Sequence, residues 1–267
     1  MGVKENEEQR ELLLARIDDI KRAAEKGDVG ITAFLSPREQ RLSEEYLKSR
    51  GATFASYGGY SEAERKRIYV LPDYMATEVE DLEELLSSYG YSSRIRPLKI
   101  SGSGYKKLSH RQYLGSILAL GLQRDVVGDI LLLDEDGREA ILLCDETIKD
   151  FLLSELDRIG GDKVRVSELE PKGWEAPKRK TVPVKDTVAS PRVDAVVAAL
   201  CDLSREKARY AVESGLVELD YESEERPDRM LTAPVTVSVR GYGKFLILSL
   251  SDKTRKGRYR LEASKYV

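Results

Sequence analysis

LSREKARYAVESGLVELD, residues 203–220, reads as a helix followed at once by a strand. Ser204 is a preferred N-cap, because its side-chain oxygen can accept from an otherwise unpaired first-turn amide. Gly215 stands where a helix ends on a left-handed residue. Residues 216–220 then alternate apolar and acidic side chains, as a half-buried strand does. At about 100° per residue, Ala208, Ala211 and Val212 share an apolar face. Arg205 and Arg209, four apart, lie together along its edge. A short helix docked by that face would hold two guanidiniums outward. The pair suits phosphate; it is also the pattern of ordinary solvated arginines beside a core.

Outward from this stretch, 267 residues are enough for about two domains with separate cores. No apolar run approaches the roughly 20 residues that span a bilayer. The start, MGVKENEEQRELLLARIDDI, is acidic and amphipathic, unlike a signal peptide, and lacks the Ser/Thr of a myristoylation site. Cys144 and Cys201 both lie in apolar surroundings, which predicts buried free thiols in a reducing, cytoplasmic setting. The net charge of −3 is unevenly divided. Residues 1–171 carry 25 Lys/Arg against 33 Asp/Glu, giving −8, whereas residues 172–267 carry 19 against 14, giving +5. The asymmetry predicts an anionic partner for the basic half.

The fold class expected is α+β, with a bipartite α/β region before a small C-terminal domain. The first subdomain is expected over 1–75. Leu13, Ile17, Ile20 and Ala24 make the stripe of a first helix, and Ser36-Pro37-Arg38-Glu39 is a capping box opening a second. Strands are expected at 53–57 and 67–71, joined through Gly58-Gly59. The central subdomain, 76–170, is expected to hold a helix over 78–88 and a strand over 94–100. A helix headed by the capping box Ser109-His110-Arg111-Gln112 follows. Two buried strands then turn at Asp136-Gly137. Ile148, Phe151, Leu152, Leu156 and Ile159 predict a helix closed by Gly160-Gly161, before a last strand over 164–169. PKGWEAPKRKTVP, 171–183, has no periodicity and reads as a linker. The C-terminal domain, 184–267, restarts as helix at Ser190-Pro191, with Val193, Val196, Val197 and Leu200 as its core face. After an acidic loop, YESEERPDR, strands are expected at 235–240 and 244–250 around Gly241-Tyr242-Gly243.

Catalytic constellations are scarce. The single histidine, His110, has no companion for a triad or a histidine-rich metal site. DEDG at 134–137 lacks the spacing and final Glu of a calcium loop. SGSG at 101–104 lacks the Gly-Lys-Ser/Thr ending of a phosphate loop. No enzyme activity, cofactor or metal is expected. Basic clusters are more informative: PKRK in the linker, the arginines of the capped helix, and Lys253, Arg255, Lys256, Arg258 and Arg260 near the end. All belong to the last third of the chain, which raises the case for phosphate binding.

SPRVDAVVAAL, then LSREKARYAVESGLVELD, then VSVRGYGKF resemble the S4 domain, a helix–helix–strand RNA-binding module. YGGYSEAERKRIYVLPD and LSHRQYLGSILALGLQRDVVGDILL resemble the YlmH family, in which a bipartite α/β RNA-binding region precedes a C-terminal S4 domain. The likeness covers nearly the full length. The S4 resemblance implies that Arg192, Ser204, Arg205, Lys207 and Arg209 lie on or beside the RNA-facing surface. Lys244, Arg255, Lys256 and Arg258 are added as candidate contacts from the basic C-terminal strands. Two turns depart from the S4 pattern: Asp220-Tyr221 replaces the usual Asn-Gly, and Ala233-Pro234 the usual Gly-Asp. In the YlmH-like motifs, Glu64, Arg65, Arg67, His110 and Arg111 match as RNA-contacting or structural positions.

The resemblance implies a non-enzymatic protein that binds structured RNA, rRNA alongside tRNA with direct tRNA contact left open, on the large ribosomal subunit during rescue of stalled translation. It also implies occurrence in cell-division gene neighbourhoods. A monomer without membrane partners is expected. The alternative is an RNA-modifying enzyme of the pseudouridine synthase kind, or a relative of tyrosyl-tRNA synthetase. The former places its S4 module ahead of a large catalytic domain, whereas here the module comes last. The latter's adenylate-handling histidine and lysine signatures have no counterpart here.

Overall fold

Three β-sheets organise the computed structural model, which describes residues 2–75, 81–170, 174–178, 180–254 and 257–266. The chain divides into two units, Met1–Pro177 and Lys178–Val267.

The first unit opens with α1 (Gly2–Glu25), β1 (Gly30–Ile31), α2 (Pro37–Ser49), β2 (Phe54–Tyr57) and β3 (Arg67–Val70). The strands form an antiparallel sheet in the order β1-β3-β2. The stripe of α1 is spent here: Ile17 and Ala24 pack with Leu35, Leu47, Ile68 and Val70. The capping box of α2 forms in both directions, with Ser36 N donating to Glu39 Oε2 at 2.7 Å and Glu39 N to Ser36 Oγ at 3.4 Å. The link from β2 to β3 is a folded loop over 58–66 rather than a two-glycine turn, because its amides bind a carboxylate from the second sheet. A short helix, α3 (Leu82–Ser88), is capped by Asp81, which accepts from Glu83 N and Glu84 N. Its expected beginning near Glu78 lies outside the described residues.

The second sheet is built from β4 (Ile95–Gly102), β5 (Val127–Leu132), β6 (Glu139–Asp145), β7 (Arg158–Ile159) and β8 (Asp162–Glu168). Helices α4 (His110–Ala119) and α5 (Lys149–Glu155) accompany it. The order is β5-β6-β4-β8-β7, antiparallel throughout. Leu98, Ile100, Leu142 and Cys144 bury one face against Tyr113 and Ile117 of α4 and Leu152 of α5. In the β5–β6 turn, Asp134 accepts from the amides of Asp136, Arg138 and Glu139. Gly137 has φ +62°, and a Cβ there would stand 1.9 Å from the Leu108 carbonyl oxygen, so only glycine fits. The helix expected through Ile159 stops at Glu155. Leu156 and Ile159 still reach the core, but Ile159 does so from β7, and Gly160-Gly161 is the tight hairpin turn into β8.

The second unit contains β9 (Thr181–Val188), α6 (Val193–Cys201), α7 (Arg205–Glu213), β10 (Val217–Leu219), β11 (Glu222–Ser223), β12 (Val235–Val239), β13 (Gly243–Lys253) and β14 (Tyr259–Tyr266). Its sheet runs β11-β10-β12-β13-β14-β9. Both helices lie on one face, where Val193, Val196, Val197, Leu200, Ala208 and Val212 meet Phe245 and Ile247. Strand β9 begins inside the segment read as linker and pairs with β14 from Thr181↔Tyr266 to Val188↔Tyr259. Pro183 is tolerated because β9 is an edge strand. Helix α6 starts at Val193 with Arg192 as its N-cap, two residues after Ser190-Pro191. Asp220 and Tyr221 form the two-residue β10–β11 turn with φ +46° and +69°, the geometry for which Asn-Gly is usual. Asp220 compensates by accepting from Thr236 N at 2.9 Å, so the changed residues keep the turn.

Candidate nucleic-acid interface

Helix α7 is capped by Ser204, whose Oγ accepts from Lys207 N at 3.3 Å. Its buried side is Ala208, Ala211 and Val212. Arg205, Lys207, Arg209 and Tyr210 are exposed on the other side, Tyr210 by 68%. The two arginines do not act as one pair. Arg209 Nε binds Glu213 Oε1 one turn along the same helix, at 2.7 Å. Arg205 reaches instead to α6, where its Nη2 lies 2.8 Å from Asp194 Oδ1. Arg192 meets the same carboxylate through Nε at 3.2 Å and Nη2 at 3.1 Å.

This three-residue cluster has a steep gradient of exposure. The Asp194 side chain is 4% exposed, whereas those of Arg192 and Arg205 are 40% and 47% exposed. Burial pushes the Asp194 carboxyl up, but the hydrogen bonds and charges of Arg205 and Arg192 hold it below the usual range. One buried negative charge therefore fixes two half-exposed positive ones. Each guanidinium keeps further N–H donors for an outside acceptor, an arrangement that matches the oxygens of a phosphate.

Arg258 adds a third cation. Its Nε donates to Thr187 Oγ1 at 2.9 Å, and its Nη2 donates to the Thr187 carbonyl. Arg205 and Arg258 line one groove of about 330 Å³, floored by Ala195, Ala198 and Ala199 of α6. Asp186 and Asp202 line the same groove, so its wall carries both signs of charge.

Lys244 differs from the expectation of a free point charge. Its ammonium is 2.9 Å from Tyr221 Oη and lies over the rings of Tyr221 and Tyr266, at 4.7 and 5.3 Å. It is half-buried and braces the strained Tyr221 turn. Arg255 and Lys256 lie outside the described residues.

In the first unit, the arginines of the two specific motifs are mostly internal. Arg65 donates to three backbone carbonyls: Phe34 at 2.8 Å, Val127 at 3.0 Å and Arg124 at 3.2 Å. Burial lowers its pKa from the ordinary value. Asp129 Oδ2 accepts from Glu64 N at 2.7 Å and Tyr60 Oη at 2.8 Å, and its Oδ1 accepts from Arg65 N at 3.0 Å. Arg67 is ion-paired to Asp145, its guanidinium 4.8 Å from the centre of the Phe34 ring. Both arginines are structural, being spent on binding loops and strands together. His110 and Arg111 are exposed on the first turn of α4. Partial burial of the ring and then the Arg124 charge push His110 below the ordinary imidazole value.

Asp194 and Asp129 carry these arrangements and neither stands out in the sequence. An acid in the first turn of a helix has a sufficient local reason in the helix dipole. Nothing in RVD signals that the carboxylate is buried or shared by two arginines. Among the described residues there is no group of three acidic, His or Cys side chains placed to hold a metal ion. No described helix is long and apolar enough to cross a membrane.

Comparison with known proteins matches two family models to the first unit. The model "YlmH, N-terminal" covers residues 8–75, and "Putative RNA-binding domain in YlmH" covers 95–172. The chain is similar to the Ribosome-associated protein quality control protein P2 of Bacillus subtilis (strain 168). The two are 29% identical over 231 residues, which is 86% of this chain and 85% of the relative. A solved structure, the cell division protein ylmH from Streptococcus pneumoniae, is 25% identical, with a TM-score of 0.46. That match covers 61% of this chain and 92% of the other.

Proposed function

Because this chain belongs to the YlmH family, we propose that it is a non-enzymatic RNA-binding protein acting on the ribosome. On this reading it binds rRNA, alongside tRNA, on the large subunit during rescue of stalled translation. The first unit, which matches an RNA-binding domain model, chooses where on the ribosome the protein sits. The second unit acts as an S4-type module and grips the phosphate backbone. The observation that carries the reading is the shared Asp194 carboxylate, which presents Arg192 and Arg205 outward from the paired helices. The ribosome enters through the relative of B. subtilis, whose name places it in ribosome-associated quality control.

Two tethered weak sites gain affinity only where both engage at once. The basic second unit should bind many folded RNAs with salt-sensitive affinity, and the joined chain should prefer large subunits. The test is co-sedimentation of the full chain, and of each unit, with separated large and small subunits. Enrichment of the full chain on large subunits is expected. Equal recovery of the isolated second unit and the full chain would overturn the division of labour. Preference for small subunits would overturn the large-subunit assignment. In the same assay, Arg205→Ala with Arg209→Ala should weaken binding. The logarithmic salt slope should become shallower by roughly 0.7–0.9 per lost contact.

A further inference from the structure

The loop that reads as acidic, YESEERPDR, buries one of its carboxylates, while two arginines face solvent with the remaining acids, Glu222, Glu225 and Asp228. Glu224 is buried, with its side chain 5% exposed, while Arg226 and Arg229 are 70% and 46% exposed. Glu224 Oε1 lies 3.1 Å from Arg226 Nε and also accepts from Arg226 N at 2.9 Å. Glu224 Oε2 accepts from Arg229 Nη1. This repeats the Asp194 arrangement: one buried carboxylate holding two outward arginines.

The two clusters adjoin. Val193 N donates to the Arg229 carbonyl at 2.9 Å, and Asp194 N donates to the Pro227 carbonyl at 3.0 Å. Arg192 and Met230 form an antiparallel bridge, and Leu231 N donates to the Pro191 carbonyl at 2.8 Å. The loop is thus tied along the start of α6, beside Arg192 and Arg205. Met230, 58% exposed, lies at this junction.

We infer that residues 224–230 form a second arm of the RNA-binding face, with Arg226 and Arg229 contacting phosphates beside those held by Arg192 and Arg205. Stability alone does not account for the arrangement. The buried carboxylate also has the Arg226 amide and Arg229 as partners, so the largely solvated Arg226 guanidinium contributes only part of what holds it. What the second guanidinium adds is an oriented positive charge at the surface. Phosphate is the ligand that such forks fit, and the other arginine pair, held by Asp194 at the start of α6, also faces solvent. The inference rests on the RNA-binding reading and extends it to residues that the helix pattern does not include.

The experiment measures binding of the full chain to bulk tRNA across a salt series, comparing Arg226→Ala, Arg205→Ala with Arg209→Ala, and Lys185→Ala. Lys185, 77% exposed on β9, is a control for loss of one positive charge elsewhere. Arg226→Ala should lower affinity roughly three- to tenfold and make the salt slope shallower by about 0.9, with the chain still folded and its melting temperature only slightly lowered. Lys185→Ala should change neither quantity by as much. If Arg226→Ala unfolds the protein, Arg226→Gln removes the charge while keeping a donor to Glu224 and is judged by the same criteria. Wild-type binding by Arg226→Ala, together with loss in the Arg205/Arg209 variant, overturns the second arm and leaves the RNA reading intact. Equal loss in Arg226→Ala and Lys185→Ala also overturns it, since the effect would be net charge. Absence of salt-sensitive binding by the wild-type chain overturns the RNA reading and this inference together.

Discussion

Arg67 on β3 forms a buried ion pair with Asp145 at the end of β6, joining strands of two different sheets across 78 residues of sequence. The side chains are 3% and 13% exposed, so the guanidinium is shut off from water and the carboxylate largely so. Arg67→Ala should leave the Asp145 carboxylate with its Thr147 N and Oγ1 donors but without its charge partner, at a cost of about 3 kcal/mol. Denaturant unfolding of the full chain checks this, with a lowered midpoint expected. Arg111→Ala, an exposed change on α4, should leave the midpoint unchanged.

Asp129 gathers three donors from the 58–66 loop: Tyr60 Oη, Glu64 N and Arg65 N. Asp129→Ala removes the acceptor of two backbone amides, Glu64 N and Arg65 N. A loss of about 1.5–3 kcal/mol follows from the charged hydrogen bonds removed. Hydrogen exchange should localise it, with the Glu64 and Arg65 amides losing protection first.

The two clamp carboxylates make the second unit acid-sensitive. Burial pushes Glu224 up, but the hydrogen bonds from Arg226 and Arg229 outweigh it and hold the group at about 2. Asp194 is likewise below its ordinary value. Carboxyls depressed in the folded state contribute fully above their unfolded pKa, about 3.9 for Asp and 4.3 for Glu. That contribution is lost as pH falls through the folded values. The melting temperature of the second unit should drop between about pH 4.3 and about pH 2. Glu224→Gln should flatten this part of the curve.

Neither thiol should react quickly in the native protein. Cys144 is fully buried, and burial pushes it up to about 12; Cys201 is half-buried and pushed up to about 11 by the same cause. The thiolate is the reactive form. A thiol reagent at pH 8 should label Cys144 only after unfolding. Cys201 should label much more slowly than a free cysteine, and fast labelling of either in native buffer would contradict its placement.

A fragment comprising residues 178–267 should fold cooperatively, whereas one beginning at residue 190 should not. The shorter fragment lacks β9, which supplies the partner of β14 and the buried Val188. Circular dichroism melting of the two fragments separates these outcomes. Limited proteolysis of the full chain should cut before Thr181 and spare the strand that begins there.

What the sequence determined by itself was local. Each capping box needs only side chains three residues apart, and Ser36, Ser109 and Ser204 all cap the helices they were expected to cap. Apolar periodicity placed the stripe of α1, the faces of α6 and α7, and the buried β5 and β6 strands, since burial follows spacing along one element. The α5 region marks the limit: Leu156 and Ile159 suit a helix face or a strand equally, and the pairing of β7 with β8 decided between them. Edge strand β9 escaped notice because its proline and lysines describe a linker locally, while β14 supplies its partner about eighty residues away by sheet spacing alone. The candidate site shows the same division. Composition pointed to the basic C-terminal third and to Arg205, but the partners of Arg65, Arg67 and Arg205 are chosen in three dimensions. Arg65, Arg67 and Lys244 were drawn into the fold by carbonyls, a carboxylate and aromatic rings. Asp194 and Glu224 were buried under arginines that they aim at solvent. Spacing along a helix can encode a pair such as Arg209 and Glu213, but the carboxylates that Arg67 and Arg205 find are reached only through space.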